Sequence, residues 1–216
     1  MDQRALDDLR SLAAQDEELE RQSTRLRELD RDVAGIRAAA DAVGRFFAAY
    51  PEEEATRRRA LQDAEAELER RRGELHDAEA TIAAAHDDVA RAHAQHAVDR
   101  ARDHVDVAEA RVARVRGARD ELEQDAAALP GTLSELEARA AAIATEVPGV
   151  PEPGQGPRPL GDWASHAHAA LFVAAGQTDT LRERLIREAN ELASMLTGEP
   201  TYGSTASQAL ARAERH

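Results

Sequence analysis

Four histidines lie within 19 residues of one another, interspersed with aspartates. They are His86, His93, His96 and His104. Because His93 and His96 are three residues apart, they share one face of a helix, where neutral imidazoles can bind a divalent metal. The stretch lacks the H-E-x-x-H spacing of zinc enzymes. Solvated histidines, or a pH-responsive patch, explain it more simply. We therefore predict no metal ligands.

A second set resembles the components of a nucleophilic site: Asp162, Ser165, His166 and His168. Ser165 is next to His166 on a predicted helix turn, without the strand and elbow that expose a catalytic serine. We therefore predict no catalytic residues and no enzymatic activity.

The basic residues exclude further chemistry. All 28 are arginine, and the chain contains no cysteine. Phosphate-loop lysines, Schiff bases, thiolate zinc sites and thiol nucleophiles are therefore excluded, and we predict no cofactor. The net charge of −14 disfavours direct binding to nucleic acid or to anionic membranes.

Composition indicates which elements must carry any function. Aromatic residues make up only 3% of the chain and charged residues 32%, while alanine, leucine, arginine and glutamate dominate. This composition is typical of long helices and coiled coils. No segment approaches the 18 consecutive apolar residues of a membrane span, and no signal peptide is recognisable, so we expect a cytoplasmic protein.

Heptad spacing predicts a first helix over residues 2–49. Apolar residues recur every seven positions at Leu12, Leu19, Leu26, Val33, Ala40 and Phe47. A companion track follows three residues later, as in a coiled-coil seam. Pro51, followed by three glutamates, predicts that this helix ends and another begins.

The second predicted helix covers residues 52–129. Its leucines and alanines would pair with those of the first helix in antiparallel order, with Leu26 facing Ala78 and Leu19 facing Ala85. The heptad phase slips between Ala92 and Val98. A continuous helix with a local change of winding is one interpretation of the slip, and a hairpin turn near residues 93–97 is the other.

The rest of the chain is predicted as shorter pieces. Pro130-Gly131 would start a third helix over 132–146, completing a rod of residues 1–146. Residues 147–160 form a proline- and glycine-rich linker. Residues 161–216 form short helical segments that pack on the rod, with Trp163, Leu171 and Phe172 expected against residues 100–115.

The predicted fold class is thus all-α, a long antiparallel coiled-coil hairpin with a short helical C-terminal region. The heptads, through Leu12, Asp16, Leu19, Leu26, Leu29 and Val33, resemble the coiled-coil arms of bacterial chromosome-maintenance ATPases. They are also similar to the helical hairpin of small bacterial coiled-coil zinc-ribbon proteins. The resemblance is confined to the rod, because the chain lacks a phosphate-loop lysine and zinc-ribbon cysteines.

We expect a non-enzymatic scaffold that spaces or tethers protein partners. The alternative is an adaptor or regulator of a nucleic-acid-associated machine that docks through residues 160–216. The seam would serve an intramolecular hairpin or a homodimer equally well. The predicted partner-binding residues are Trp163, Phe172, Tyr202, Val105 and Val112, with core packing as the simpler interpretation of Trp163 and Tyr202.

Overall fold

The computed structural model describes residues 3–215, and all regular structure in that range is helical. The helices are α1 (Gln3–Ala84), α2 (Asp88–Glu146), α3 (Pro157–Thr197) and α4 (Ala206–Ala213). The predicted all-α hairpin with a short C-terminal helix is confirmed. Within the described part of the chain, no helix has the length and apolar character that a bilayer crossing requires.

The chain forms two compact units. The first combines the residues before Val43 with those from Leu133 onward, and the second is Val43–Thr132.

The second unit is a helical hairpin whose turn lies between Ala84 and Asp88. Asp87 caps α2, because its Oδ1 accepts a hydrogen bond of 2.7 Å from the Ala90 N–H. The predicted turn near residues 93–97 is therefore about ten residues too late, and the predicted continuous helix over 52–129 is wrong.

The hairpin arms pack through a narrow apolar seam. Its buried members are Leu61, Ala64, Leu68, Val105, Ala108 and Val112. Three ion pairs between the arms fix the antiparallel register: Glu65 with Arg116 at 3.0 Å, Arg72 with Glu109 at 2.9 Å, and Glu79 with Arg102 at 3.3 Å. The predicted pairing of Leu26 with Ala78 and of Leu19 with Ala85 is wrong, because the turn lies more than thirty residues beyond Pro51.

Pro51 and Pro130 lie inside helices, so the two predicted corners are wrong. A proline removes one backbone hydrogen bond and clashes with the carbonyl four residues earlier, at a cost of about 3 kcal/mol. Packing on both sides of Pro51 outweighs that cost; just before it, the rings of Phe46 and Tyr50 stack with centroids 5.9 Å apart. The predicted separate helix over 132–146 is the last part of α2.

Pro51→Ala should raise the free energy of unfolding by about 1–2 kcal/mol. The gain within the helix, about 3 kcal/mol, exceeds the entropy that proline removes from the unfolded chain, about 1 kcal/mol. Urea denaturation followed by circular dichroism measures the difference. Glu52→Ala, an exposed neighbour, is the control and should change stability by less than about 0.5 kcal/mol. A loss of stability in Pro51→Ala would contradict the assigned cost of the proline within the helix.

The first unit has a core where α1, the end of α2 and the start of α3 meet. Its fully buried members include Ile36, Ala140, Leu160 and Leu171. Trp163 belongs to this core, so the predicted packing of Trp163, Leu171 and Phe172 on residues 100–115 is wrong.

The linker is shorter and more ordered than predicted. It ends at Gly156, because Pro157 and Pro159 occupy the first turn of α3, where a missing N–H is tolerated. The Trp163 indole donates a 2.7 Å hydrogen bond to the Pro151 carbonyl, and the Gly156 N–H donates one of 2.7 Å to Glu137. Both bonds fix the linker against its own unit.

One long helix, α3, covers most of residues 161–216, where only short helical segments were predicted. It ends at Thr197 and is capped by Gly198, whose φ of 71° lies in the left-handed region. Thr205 then caps α4 by accepting a hydrogen bond from the Gln208 N–H. A second core joins α4 to the start of α1 and the end of α3. Its buried members are Leu6, Leu9, Ala13, Ala189, Ala193, Ala206, Ala209 and Ala213.

Candidate interaction surface

A buried carboxylate ties α1, α3 and α4 together. Asp16 is only 2% exposed. Its Oδ1 accepts a 2.8 Å hydrogen bond from Arg182 Nε, and its Oδ2 accepts one of 2.8 Å from the Ala206 N–H. The hydrogen bond to Asp16 raises the pKa of Arg182 above its ordinary value, although burial opposes the shift. Arg182 also forms an ion pair with Glu20. The carboxylate thus neutralises a half-buried cation and satisfies the N-terminus of α4.

The segment between α3 and α4 is held by side chains of α3. The Asn190 amide donates to the Gly203 carbonyl at 2.9 Å and accepts from the Gly203 N–H at 2.7 Å. Ser194 Oγ accepts from the Thr201 N–H at 2.8 Å. A Cβ on Gly203 would lie 3.0 Å from the Thr205 carbonyl oxygen, so this close approach favours glycine. The segment is therefore fixed at Thr201 and at Gly203, on either side of Tyr202.

Two large apolar side chains project from this fixed segment and from the neighbouring turn of α3. Tyr202 is 89% exposed and Met195 is 74% exposed. They border a cleft of about 740 Å³. Its lining also includes Ile186, Pro200, Arg187 and Glu191. Exposed aromatic and methionine side chains on a fixed backbone suit contact with another protein, because little conformational entropy is lost on binding. We call these residues the Tyr202 platform.

The five predicted partner-binding residues divide into two groups. Trp163, Val105 and Val112 are buried, with exposures of 4%, 9% and 7%, so they are core residues and the prediction of a contact surface is wrong for them. Tyr202 and Phe172, the latter 74% exposed, are accessible. Met195 was missed, because its heptad neighbours give no sign that it faces solvent.

The histidine cluster is spread over the turn and the start of α2. His86 lies in the turn itself, and the other three lie on α2. Across residues 3–215, no group of three histidine, aspartate or glutamate side chains is placed to hold a metal ion.

The serine and histidines at the start of α3 each use a different partner. Ser165 Oγ donates to the Gly161 carbonyl at 3.3 Å, and His166 Nδ1 lies 2.9 Å from the Asp162 carbonyl oxygen. His168 Nδ1 lies 2.5 Å from Asp30 Oδ1 on α1. The three side chains therefore support the helix and its contact with α1.

The arginine run at residues 70–72 forms ion pairs with glutamates of the same helix. Arg71 contacts Glu67 and Glu74 on its own helix, at 2.7 and 2.8 Å.

Comparison with known proteins finds no matching family model, no matching curated protein and no matching solved structure. Functional inference for this chain therefore depends on its own surfaces.

Proposed function

We propose that this protein is a non-enzymatic cytoplasmic scaffold that binds one protein at the Tyr202 platform and holds it at a distance set by the helical hairpin. The observation that carries the proposal is the fixed presentation of Tyr202 and Met195. Such anchors in the free protein favour a binding role.

The hairpin of the second unit supports the spacing role. Its arms are each about 40 residues long, which corresponds to roughly 60 Å at ~1.5 Å per residue. They are joined by a seam of leucine, valine and alanine and by ion pairs at three levels. Two helices packed along their length bend less than a single helix does, so they suit a spacer.

The alternative is an adaptor or regulator of a nucleic-acid-associated machine that docks through residues 160–216. The Tyr202 platform lies in that region and favours this function as well. The two functions differ in the hairpin, whose length matters for a spacer and is dispensable for an adaptor.

A shortened hairpin separates the two functions. Deleting residues 68–74 together with 107–113 removes one heptad from each arm and takes out Arg72 along with its ion-pair partner Glu109. The heptad phase of each arm is retained, so the hairpin should still form, shorter by about 10 Å. In the native host, proteins that cross-link to the full-length chain would be compared with those that cross-link to the shortened chain and to Tyr202→Ala.

If the protein is a scaffold, Tyr202→Ala should remove one protein from the set of cross-linked proteins. Shortening the hairpin should keep that protein in the set and should shift the contacts made through the hairpin. Val173→Ala, which truncates another exposed side chain of α3, is the matched control and should change nothing. Identical cross-links in the full-length and shortened proteins would contradict the spacing role and favour the adaptor. If Tyr202→Ala leaves all cross-links unchanged, docking at the platform is wrong.

A further inference from the structure

A groove runs along the first unit between α1 and α3. It consists of two adjoining cavities of about 430 and 530 Å³ that share Leu181. Along α1 the groove extends from Gln15 to Leu29, which corresponds to four helical turns or about 21 Å. We call it the α1–α3 groove.

The apolar floor of the groove is a gap between the two cores of this unit. Leu19, Leu181 and Leu185 line it, yet none of them belongs to either core. Leu181 is 50% exposed. Polar side chains occupy the other side of the same helix contact: Ser23 Oγ donates to Asp179 at 2.9 Å, and Arg182 reaches Asp16. At this level Leu181 is therefore exposed, and Leu19 and Leu185 are only partly buried.

The helix that would cover these leucines stops short of them. Farther along α1, the end of α2 fills the third position beside α1 and α3. It ends at Glu146, and Val147 and Pro148 close one end of the groove. There the hydrogen bonds from Arg25 lower the pKa of Glu146 and fix the end wall. A further helix packed on the groove would thus extend the position that α2 occupies beside α1 and α3.

Charges on the rim indicate which helix fits. Arg184 and Glu188 lie one turn apart on α3, both exposed, and neither has an ion-pair partner within residues 3–215. When two copies of α3 lie antiparallel, Arg184 of each copy faces Glu188 of the other. In a twofold interface of this kind, Arg184 and Glu188 of each copy both gain a partner of opposite charge.

We propose that the α1–α3 groove is the interface of a homodimer, in which α1 and α3 of two copies form a four-helix bundle. In this register the two Leu185 side chains lie closest to each other across the twofold axis, and the two Arg184–Glu188 pairs flank them. The negative charge of both copies opposes association, but at physiological salt it is screened beyond about 8 Å. This proposal is independent of the scaffold function.

Charge reversal tests the proposal on the full-length chain by sedimentation equilibrium. The wild-type protein should have twice the mass of one chain. Arg184→Glu places like charges together at two symmetry-related positions, so it should raise the dissociation constant at least about tenfold. The double variant R184E/E188R restores opposite charges and should return the dissociation constant to within about threefold of wild type.

Arg187→Glu is the matched control. Arg187 and Glu191 have the same spacing and the same charges, but they line the cleft of the Tyr202 platform and do not line the groove. This variant should dimerise like wild type. Leu181→Ser should weaken the dimer while leaving the circular dichroism spectrum unchanged, which separates loss of the interface from loss of folding.

A monomeric wild-type mass over a wide range of concentration would overturn the proposal. Equal effects of Arg184→Glu and Arg187→Glu, or a double variant that fails to recover, would also overturn it, because the groove would then not be the contact.

Discussion

Asp16→Ala is expected to lower the free energy of unfolding by about 3–5 kcal/mol, the usual cost of removing one partner of a buried ion pair. The carboxylate is 2% exposed and holds both Arg182 and the Ala206 N–H. Its removal leaves the half-buried guanidinium with only the exposed Glu20 as a partner and leaves the Ala206 N–H without one, and each lost buried partner costs about 1–3 kcal/mol. Chemical denaturation measures the loss, and hydrogen exchange should show that α4 opens first.

Glu20→Ala is the control for this loss. Glu20 binds the same guanidinium, but its side chain is 49% exposed, so the change should cost less than about 1 kcal/mol. Asp16→Asn should fall between the two, since an amide oxygen can still accept one of the hydrogen bonds. Equal stabilities of Asp16→Ala and Glu20→Ala would contradict the assigned role of Asp16.

Trp163→Ala should also cost about 3–5 kcal/mol, which is typical of a buried tryptophan truncated in a core. The indole is 4% exposed among residues of α1, α2 and α3, and its N–H holds the linker at Pro151. Part of this loss of stability should appear as release of the linker, which would be measured as faster proteolytic cleavage within residues 151–156.

Trp163→Phe separates packing from the hydrogen bond. It keeps most of the apolar contact and loses the N–H donor, so it should cost less than Trp163→Ala while still releasing the linker. Phe172→Ala, which truncates a ring that is 74% exposed, should change stability by less than about 0.5 kcal/mol. A loss of stability in Phe172→Ala comparable to that of Trp163→Ala would mean that the Phe172 ring makes a buried contact.

The heptad phase predicts the extent of the long helices better than the positions of the prolines do. In α1 the seven-residue track runs through Phe47, Glu54 and Leu61 without a shift, across Pro51. In α2 the track through Ala126, Leu133 and Ala140 likewise crosses Pro130 unchanged. A corner would have released that phase, so its persistence predicts one helix. Local proline rules gave the wrong corners because the packing of a long seam outweighs a single lost hydrogen bond.

The phase slip marked the turn only approximately. The slip lies at Ala92–Val98, whereas the turn lies at Ala85–Asp87. No proline or glycine marks the turn, so its position depends on which leucines and valines of the two arms pair.

The candidate surface was less accessible to sequence reasoning. Tyr202 was predicted as an aromatic anchor for a partner. Asp16 was noted only as part of the heptads, since its partner Arg182 is 166 residues away. The exposure of Leu181 likewise depends on where α2 ends, and no local pattern encodes that.

The distance between residues 72 and 109 tests the hairpin most directly, because both the fold and the spacing function require it. The chain has no native cysteine, so cysteines placed at these two positions would carry the only spin labels. They replace an exposed ion pair that contributes less than about 1 kcal/mol. The structure predicts a separation below about 25 Å, since packed helix axes lie about 8–10 Å apart and the labels add the rest. A continuous helix across these 37 residues would instead separate the labels by about 55 Å, and that result would contradict the hairpin.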